Sequence, residues 1–551
     1  RGLGDVYKRQ LYDGHTAAQL VALLSGEVET SPHKLVQNAA QARGLGGVDF
    51  ARAWRKALHD GFVADSAAPA VNPGLDASGL AGVAQAMPDL VAASGPSASA
   101  MEVVLTADPK LHDGRFANNG WLQELPEAIT KVTWDNALIV SPKTAAELGV
   151  VDSDVVTVEH AGRSIDLPVC IVPGGARHSA TVWLGHGRTV AGQVGTGVGA
   201  SAYALRTTAA PSILTGVSVR PAGRRHQLAT TQDHWAIDDI GFEARNKRSG
   251  HFIREVTLDD YLDHPEHIQH MDHHPPLVSL WKEHVYEGEQ WGMAIDLNAC
   301  TGCNACVVAC QAENNIPVVG REEIINGREM HWLRIDRYFK SQPGITPEEV
   351  ENAEVAFQPM ACVHCENAPC EQVCPVAATQ HTPDGLNAMA YNRCVGTRYC
   401  ANNCPYKVRR FNFFNYHKNL AEISKMQFNP EVTVRARGVM EKCTFCIQRI
   451  EAVRIPATNE RRPIRDGEIT PACAQTCPAE AITFGNLNDP ESRISALRES
   501  QRSYAVLTEL NVKPRTHYMA RLRNPAGGGG AGHGSATPAH GHDASHGKES
   551  A

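Results

Sequence analysis

The stretch Cys300-Thr301-Gly302-Cys303-Asn304-Ala305-Cys306-Val307-Val308-Ala309-Cys310 decides how this protein is read. Its cysteines are spaced C-x2-C-x2-C-x3-C, and three related runs follow. The second is Cys362-x2-Cys365-x4-Cys370-x3-Cys374-Pro375, and the third is Cys394-x5-Cys400-x3-Cys404-Pro405. The fourth is split into Cys443-x2-Cys446 and, after an insertion, Cys473-x3-Cys477-Pro478. Residues 291–485 thus hold 15 of the 16 cysteines.

A polynuclear iron–sulfur core needs several thiolates converging on one small inorganic body. Cysteines three apart on a tight loop can each turn a sulfur toward neighbouring irons, while the cysteine after the x3 gap serves a different cluster. That last cysteine is expected to start a helix. The proline after it suits a helix's first turn, where a missing N–H costs nothing; Cys310 is followed by Gln311 instead. Two other chemistries use paired cysteines. Structural zinc closes on four ligands with longer gaps between C-x2-C pairs, and disulfide scaffolds belong mainly to small secreted domains. The C-x2-C-x2-C-x3-C run is not a zinc pattern, so iron–sulfur is the reading.

The third run reads Cys394-Val395-Gly396-Thr397-Arg398-Tyr399-Cys400, with Thr397 where a full motif has cysteine. Threonine is a poor iron ligand, so one corner iron loses its anchor. The expectation is one 3Fe-4S cluster beside three 4Fe-4S clusters; a cubane with a water or hydroxyl ligand is the alternative.

Composition bounds the rest. With 551 residues, 42% hydrophobic and 20% charged, the chain is an ordinary globular protein with room for three or four domains. A net charge of −8 argues against a nucleic-acid partner. No run of 18 apolar residues is present, so contact with a membrane must come through a partner. No C-x2-C-His occurs, so the chain attaches no c-type haem itself.

Outward from the cysteines, residues 1–10 lack an initiator methionine and are read as a non-native remnant. Residues 11–100 are expected to be helical, as over Thr16–Ser25 and Phe50–His59, ending in an Ala/Gly/Ser/Pro-rich linker from residue 66. A strand-rich domain is expected over 101–235. There Ser141-Pro142 caps a short helix closed by Gly149. Valine-rich 154–159 and the alternation Ile165, Leu167, Val169, Ile171 mark strands, with Cys170 as apolar filler. The loop Gly192-Gln193-Val194-Gly195-Thr196-Gly197-Val198-Gly199 is either a phosphate-approaching backbone or a tight turn between strands. Residues 236–290, with seven histidines from His251 to His284, read as a solvated linker, a metal or haem site being the alternative. The cluster-binding domain is expected over 291–520 and a disordered Gly/His-rich tail over 521–551. Lys407-Val408-Arg409-Arg410 followed by Phe411, Phe413, Phe414 and Tyr416 is either a docking patch for a membrane partner or packing that shields a cluster.

Four cysteine runs with the fourth split resemble the iron–sulfur subunits of the molybdopterin oxidoreductases. The stretch from Ser141-Pro142 through Gly149-Val150, Gly185-His186-Gly187-Arg188 and Gly195 to Arg206 resembles the C-terminal β-barrel domain of that family's catalytic subunits, where the glycine loop helps hold a pterin dinucleotide. The two halves joined, with Trp291–Leu297, Glu313–Gly320, Arg328–Trp332 and Arg437–Cys443, are similar to the large iron–sulfur subunits of alternative complex III. The fold implied is multidomain α+β: a barrel of molybdopterin-oxidoreductase type followed by a four-cluster domain of bacterial-ferredoxin type.

This resemblance also implies which cysteines share a cluster; spacing alone does not. One 4Fe-4S cluster would take Cys300, Cys303, Cys306 and Cys477. A second would take Cys443, Cys446, Cys473 and Cys310. A third would take Cys362, Cys365, Cys370 and Cys404. The 3Fe-4S cluster would take Cys394, Cys400 and Cys374. The implied role is electron transfer without acid, base or nucleophile, from quinol in an integral membrane partner toward multihaem and monohaem cytochrome c subunits, within a hetero-oligomer peripheral to the periplasmic face of a bacterial inner membrane. No molybdenum cofactor is expected. The rival readings are the electron-transfer part of a molybdenum-dependent polysulfide or sulfoxide-type reductase, and a scaffold with purely structural clusters.

Overall fold

The computed structural model describes residues 15–231, 248–340 and 353–524, apart from 30, 48, 64–65, 93–94, 273, 275 and 280–281. The expected remnant at 1–10 and nearly all of the expected tail lie outside these residues. The chain divides into two compact units, residues 1–94 and 95–551.

The first unit is helical, with α1 (Ala17–Leu24), α2 (Pro32–Ala42), α3 (Phe50–Asp60) and α4 (Ala77–Ala92). Thr16 caps α1 by accepting from Gln19 N, and Asp49 caps α3 by accepting from Arg52 N. The helix α4 falls where a linker is expected. Asp76 accepts from the Ser78 and Gly79 amides at 3.0 and 3.1 Å, which starts the helix, and five alanines in the segment sustain it.

The second unit begins with a six-stranded closed barrel. Its strands are β1 (Met101–Ala107), β2 (Leu138–Val140), β3 (Asp154–His160), β4 (Arg163–Ile171), β5 (Ser179–Leu184) and β6 (Ile213–Arg225), in the order β1-β5-β2-β4-β3-β6. β1 and β2 run parallel to β5 and β4 respectively, and the other pairs are antiparallel. Alternate residues point inward: Met101, Val103 and Leu105 of β1, Val156 and Val158 of β3, Leu167 and Val169 of β4 are all buried. The expected capped helix spans Pro142–Leu148, with Ser141 Oγ accepting from Thr144 N and Gly149 left-handed at φ +66°. The glycine loop packs on its own protein: a Cβ on Gly195 would lie 2.4 Å from Ala117 O. Close backbone packing therefore accounts for this glycine.

The cysteine runs hang from a four-stranded sheet. β7 (Trp291–Asp296) lies between β8 (Ile482–Asn486), antiparallel, and β10 (Thr516–Met519), parallel, with β9 (Ser503–Tyr504) beyond β10. Trp291, Met293 and Ile295 of β7 enter the largest core, together with Phe484 and Tyr518. Part of the expected linker belongs to this core: Ile253, Val256 and Ile268 are buried in it, and Glu255–Thr257 pairs in parallel with Arg521–Arg523. Its polar surroundings conceal these few apolar residues in the sequence.

The barrel meets the cysteine-bearing part through residues 117–135. Asn304, beside Cys303, donates to Pro126 O at 2.7 Å. Glu124 is fully buried and accepts from Val319 N (2.9 Å), Gly320 N (2.7 Å) and Trp134 Nε1 (3.3 Å). Burial nonetheless dominates and pushes its carboxyl up to about 7. A carboxyl that keeps its proton in the folded state stabilises the fold below its unfolded value of 4.5, and this contribution is lost as the pH rises through 7. The loss is on the order of 3 kcal/mol. Glu124→Gln should therefore flatten the pH dependence of thermal unfolding between pH 5 and 8, the variant gaining on wild type at the alkaline end. An unchanged slope would place the buried titration elsewhere.

Candidate metal centres

Each cysteine run places two sulfurs along one short helix and the turn that ends it. Cys306, Cys370, Cys400 and Cys473 are each the second residue of a helix, over Ala305–Glu313, Pro369–Gln372, Tyr399–Asn403 and Ala472–Gln475. Cys310, Cys374, Cys404 and Cys477 follow four residues later, one helical turn along. The expected helix start at these four positions is not found. Pro375, Pro405 and Pro478 instead lie in tight turns after the helix, with the N–H of Ala377, Lys407 and Glu480 bonded back to the carbonyl of Cys374, Cys404 and Cys477. Proline's fixed φ suits the second position of such a turn, and it prevents the helix from continuing. Where Gln311 replaces proline, the helix runs on to Glu313.

The first and third runs share a backbone. Gly302 and Gly396 have φ +72° and +76°, and Asn304 and Arg398 both have φ +61° before their helices begin. Thr397 therefore occupies the place that Cys303 holds in the first run.

The structure brings the fifteen sulfurs into four sets that act on one another electrostatically. Cys306 feels Cys300, Cys303 and Cys477. Cys310 feels Cys443, Cys446 and Cys473. Cys365 feels Cys362, Cys404 and Cys370. Cys400 feels Cys394 and Cys374. Neighbouring sets also act on each other: Cys473 feels Cys306, and Cys443 feels Cys362. Cys170 stands apart, buried in the barrel domain with Val132, Ala137 and Leu228.

Burial pushes the Cys310, Cys365 and Cys473 thiols well up, Cys443 to about 12 and Cys370 to about 11. Cys374 goes the other way: burial opposes its thiolate, but the amides of Val376, Ala378 and Thr379 outweigh it. Amides also aim at sulfur in two equivalent turns, Ala378 N to Cys374 at 3.2 Å and Ala481 N to Cys477 at 3.3 Å. Crowded buried thiols ionise only beside a cation, and ligated iron provides one.

Among the described residues no two cysteines are joined as a disulfide. Among the described residues no three His, Cys, Asp or Glu side chains converge on the position of a single metal ion. Cys310, Cys443, Cys446 and Cys473 instead line one small cavity of about 20 Å³, walled by Met293, Leu333 and Phe445. Thiols from separate segments around a shared apolar-walled space suit a polynuclear iron–sulfur cluster.

The comparisons with known proteins agree with this chemistry. Two models described as 4Fe-4S dicluster domains match residues 299–378 and 353–427. The menaquinone reductase iron–sulfur cluster-binding subunit of Nitratidesulfovibrio vulgaris is 39% identical over 237 residues, which is 89% of that protein and 42% of this chain. This chain belongs to the family of reductase iron–sulfur subunits with 4Fe-4S dicluster domains. Other members are the Hdr-like menaquinol oxidoreductase iron–sulfur subunit 1 of Archaeoglobus fulgidus, 35% identical over 43% of this chain and 85% of its own, and the B subunit of polysulfide reductase from Wolinella succinogenes, 29% identical over 43% and 96%.

In this iron–sulfur subunit both arginines of the basic stretch after the third run are buried. Arg409 and Arg410 are each only 6% exposed. Arg410 pairs with buried Glu329 at 2.9 Å, and Arg409 donates to Cys370 Sγ at 3.0 Å. Lys407 alone reaches the surface. Buried Lys442, whose charge acts on Cys370 and Cys443, has no signal in the sequence beyond its place before a cysteine. Among the histidines of 248–284, His251 bonds Asp272 at 2.7 Å and His267 bonds Asp260 at 3.1 Å.

Stripping iron under reducing conditions should leave these buried thiols without their compensating cation. Limited proteolysis should then cut within 291–520 while β1–β6 stay resistant. Protection that survives complete iron removal would show that the apolar core alone holds this part together.

Proposed function

We propose that this chain carries electrons between quinol and a redox partner, through four clusters in series. What supports the reading most is that its fifteen cysteines form four abutting sets, in the order Cys300/303/306/477, Cys310/443/446/473, Cys362/365/370/404 and Cys374/394/400. When bound there, iron–sulfur clusters supply one-electron storage with no proton chemistry of their own. The first three sets would hold 4Fe-4S clusters. The fourth, lacking a thiol at Thr397, would hold a 3Fe-4S cluster.

The residues around the sets have three tasks: they hold the sulfurs, exclude water and donate hydrogen bonds to them. Each task tunes a reduction potential. Among the described residues no helix is long and apolar enough to cross a membrane; in this reading the quinol site lies in a membrane partner. Relatives named for menaquinone and menaquinol support a quinone-type partner. We assign the complex to the alternative complex III type, on the periplasmic face and with haem-bearing acceptors, because the barrel and the cysteine-rich part are joined in one polypeptide. The relationship to the polysulfide reductase B subunit supports a second reading, a molybdenum reductase's electron-transfer part. Metal analysis separates the two, since molybdenum near one per complex favours the second.

The test is iron content and EPR of the anaerobically purified complex, with reduction by quinol. About fifteen iron atoms per subunit are expected from these cluster types, with a signal from an oxidised three-iron centre. Thr397→Cys, on a backbone that already matches the first run, should abolish that signal, add about one iron per subunit and produce a fourth signal on reduction. Zinc in place of iron, or clusters that do not respond to quinol, would end the proposal.

A further inference from the structure

Arg409 is a buried cation at the boundary of two thiol sets. Its Nη2 donates to Cys370 Sγ at 3.0 Å and to Asn387 Oδ1 at 3.2 Å, and its Nη1 donates to Thr379 Oγ1 at 3.1 Å and Met389 Sδ at 3.9 Å. Its charge also acts on Cys400, across the boundary. Neighbouring buried arginines each have a carboxylate: Arg410 has Glu329, Arg435 has Glu441 and Arg334 has Asp336. Among the described residues no carboxylate accepts a hydrogen bond from Arg409. An unpaired buried guanidinium is strongly unfavourable, so its charge must be balanced by the sulfurs it touches.

We infer that Arg409 is a shared counter-ion that raises the reduction potentials of the two clusters held by Cys362/365/370/404 and by Cys374/394/400. The inference rests on the function proposed above. Each reduction adds one electron, supplied by quinol, and no atom. The added negative charge lies next to the guanidinium, so the reduced form gains more from Arg409 than the oxidised form. Lys442 reinforces this on one side only, since it acts on Cys370 and Cys443 but lies before the fourth set. The first set has Asp296 beside Cys300 instead. The charges therefore make the third and fourth sets easier to reduce than the first, with both cations acting on the third.

The experiment is an EPR-monitored redox titration of the whole iron-loaded complex carrying Arg409→Gln or Arg409→Lys, with iron counted in each. Glutamine should weaken the reduction equilibrium of two clusters at least tenfold, about 59 mV for one electron. The other two should stay in place, and lysine should restore most of the loss. Unmoved midpoints at full iron content overturn the inference, as does a lysine variant that falls as far as glutamine, or an equal shift of all four clusters. Thr379→Val and Asn387→Leu, which loosen the guanidinium without removing it, are titrated alongside. If Arg409→Gln loses its clusters, lowered midpoints in these two support the role and wild-type midpoints reject it. Wild-type protein without iron would instead defeat the proposed function itself.

Discussion

Fifteen thiols crowded into one part of the protein, most of them buried or half-buried, are the constraint on which the rest depends. Burial holds many of them neutral, Cys310, Cys365 and Cys473 above all, yet each must ionise to bind metal. The protein meets this locally. Short helices present pairs of sulfurs one turn apart, main-chain amides point at Cys374 and Cys477, and charged groups stand between neighbouring sets. Apolar walls such as Met293, Leu333 and Phe445 keep water away and strengthen every one of these interactions.

The repeated helix-and-turn unit shows how little sequence is needed. A cysteine at the second helical position, another four residues on, and a proline to stop the helix make one unit, used three times. The first unit lacks the proline, and its longer helix reaches Glu313, which binds Arg449 near Cys446 at 2.9 Å. The variation thus converts a turn into a brace between the first run and the split fourth.

Much of this was legible in the residues. Cysteine spacing named the chemistry, because few metals require that rhythm. Ser141-Pro142 with Gly149 named a helix, because a cap, a first-turn proline and a left-handed glycine act within one or two turns. The prolines after cysteine point falsely to helix starts, because proline suits both a first turn and the second position of a tight turn. The role of Arg409 and Arg410 was equally hidden. A basic run is usually solvated, and only tertiary structure shows which carbonyls, carboxylates or sulfurs surround it. The helix Ala77–Ala92 was obscured by glycine and proline near Asp76, and the core residues of 249–271 by their scarcity.

The strand order of the central sheet fixes when the molecule can be finished. β7, at residue 291, pairs with strands that begin at 482 and 516, and Cys300 waits for Cys477. A nascent polypeptide that has reached Cys404 already has every sulfur of the third and fourth sets. The first and second sets still lack members that lie at Cys443 and beyond. In the order of synthesis the third and fourth sets are therefore complete before the first and second. Closure of the set that holds Cys477 comes last, shortly before β10 seals the sheet.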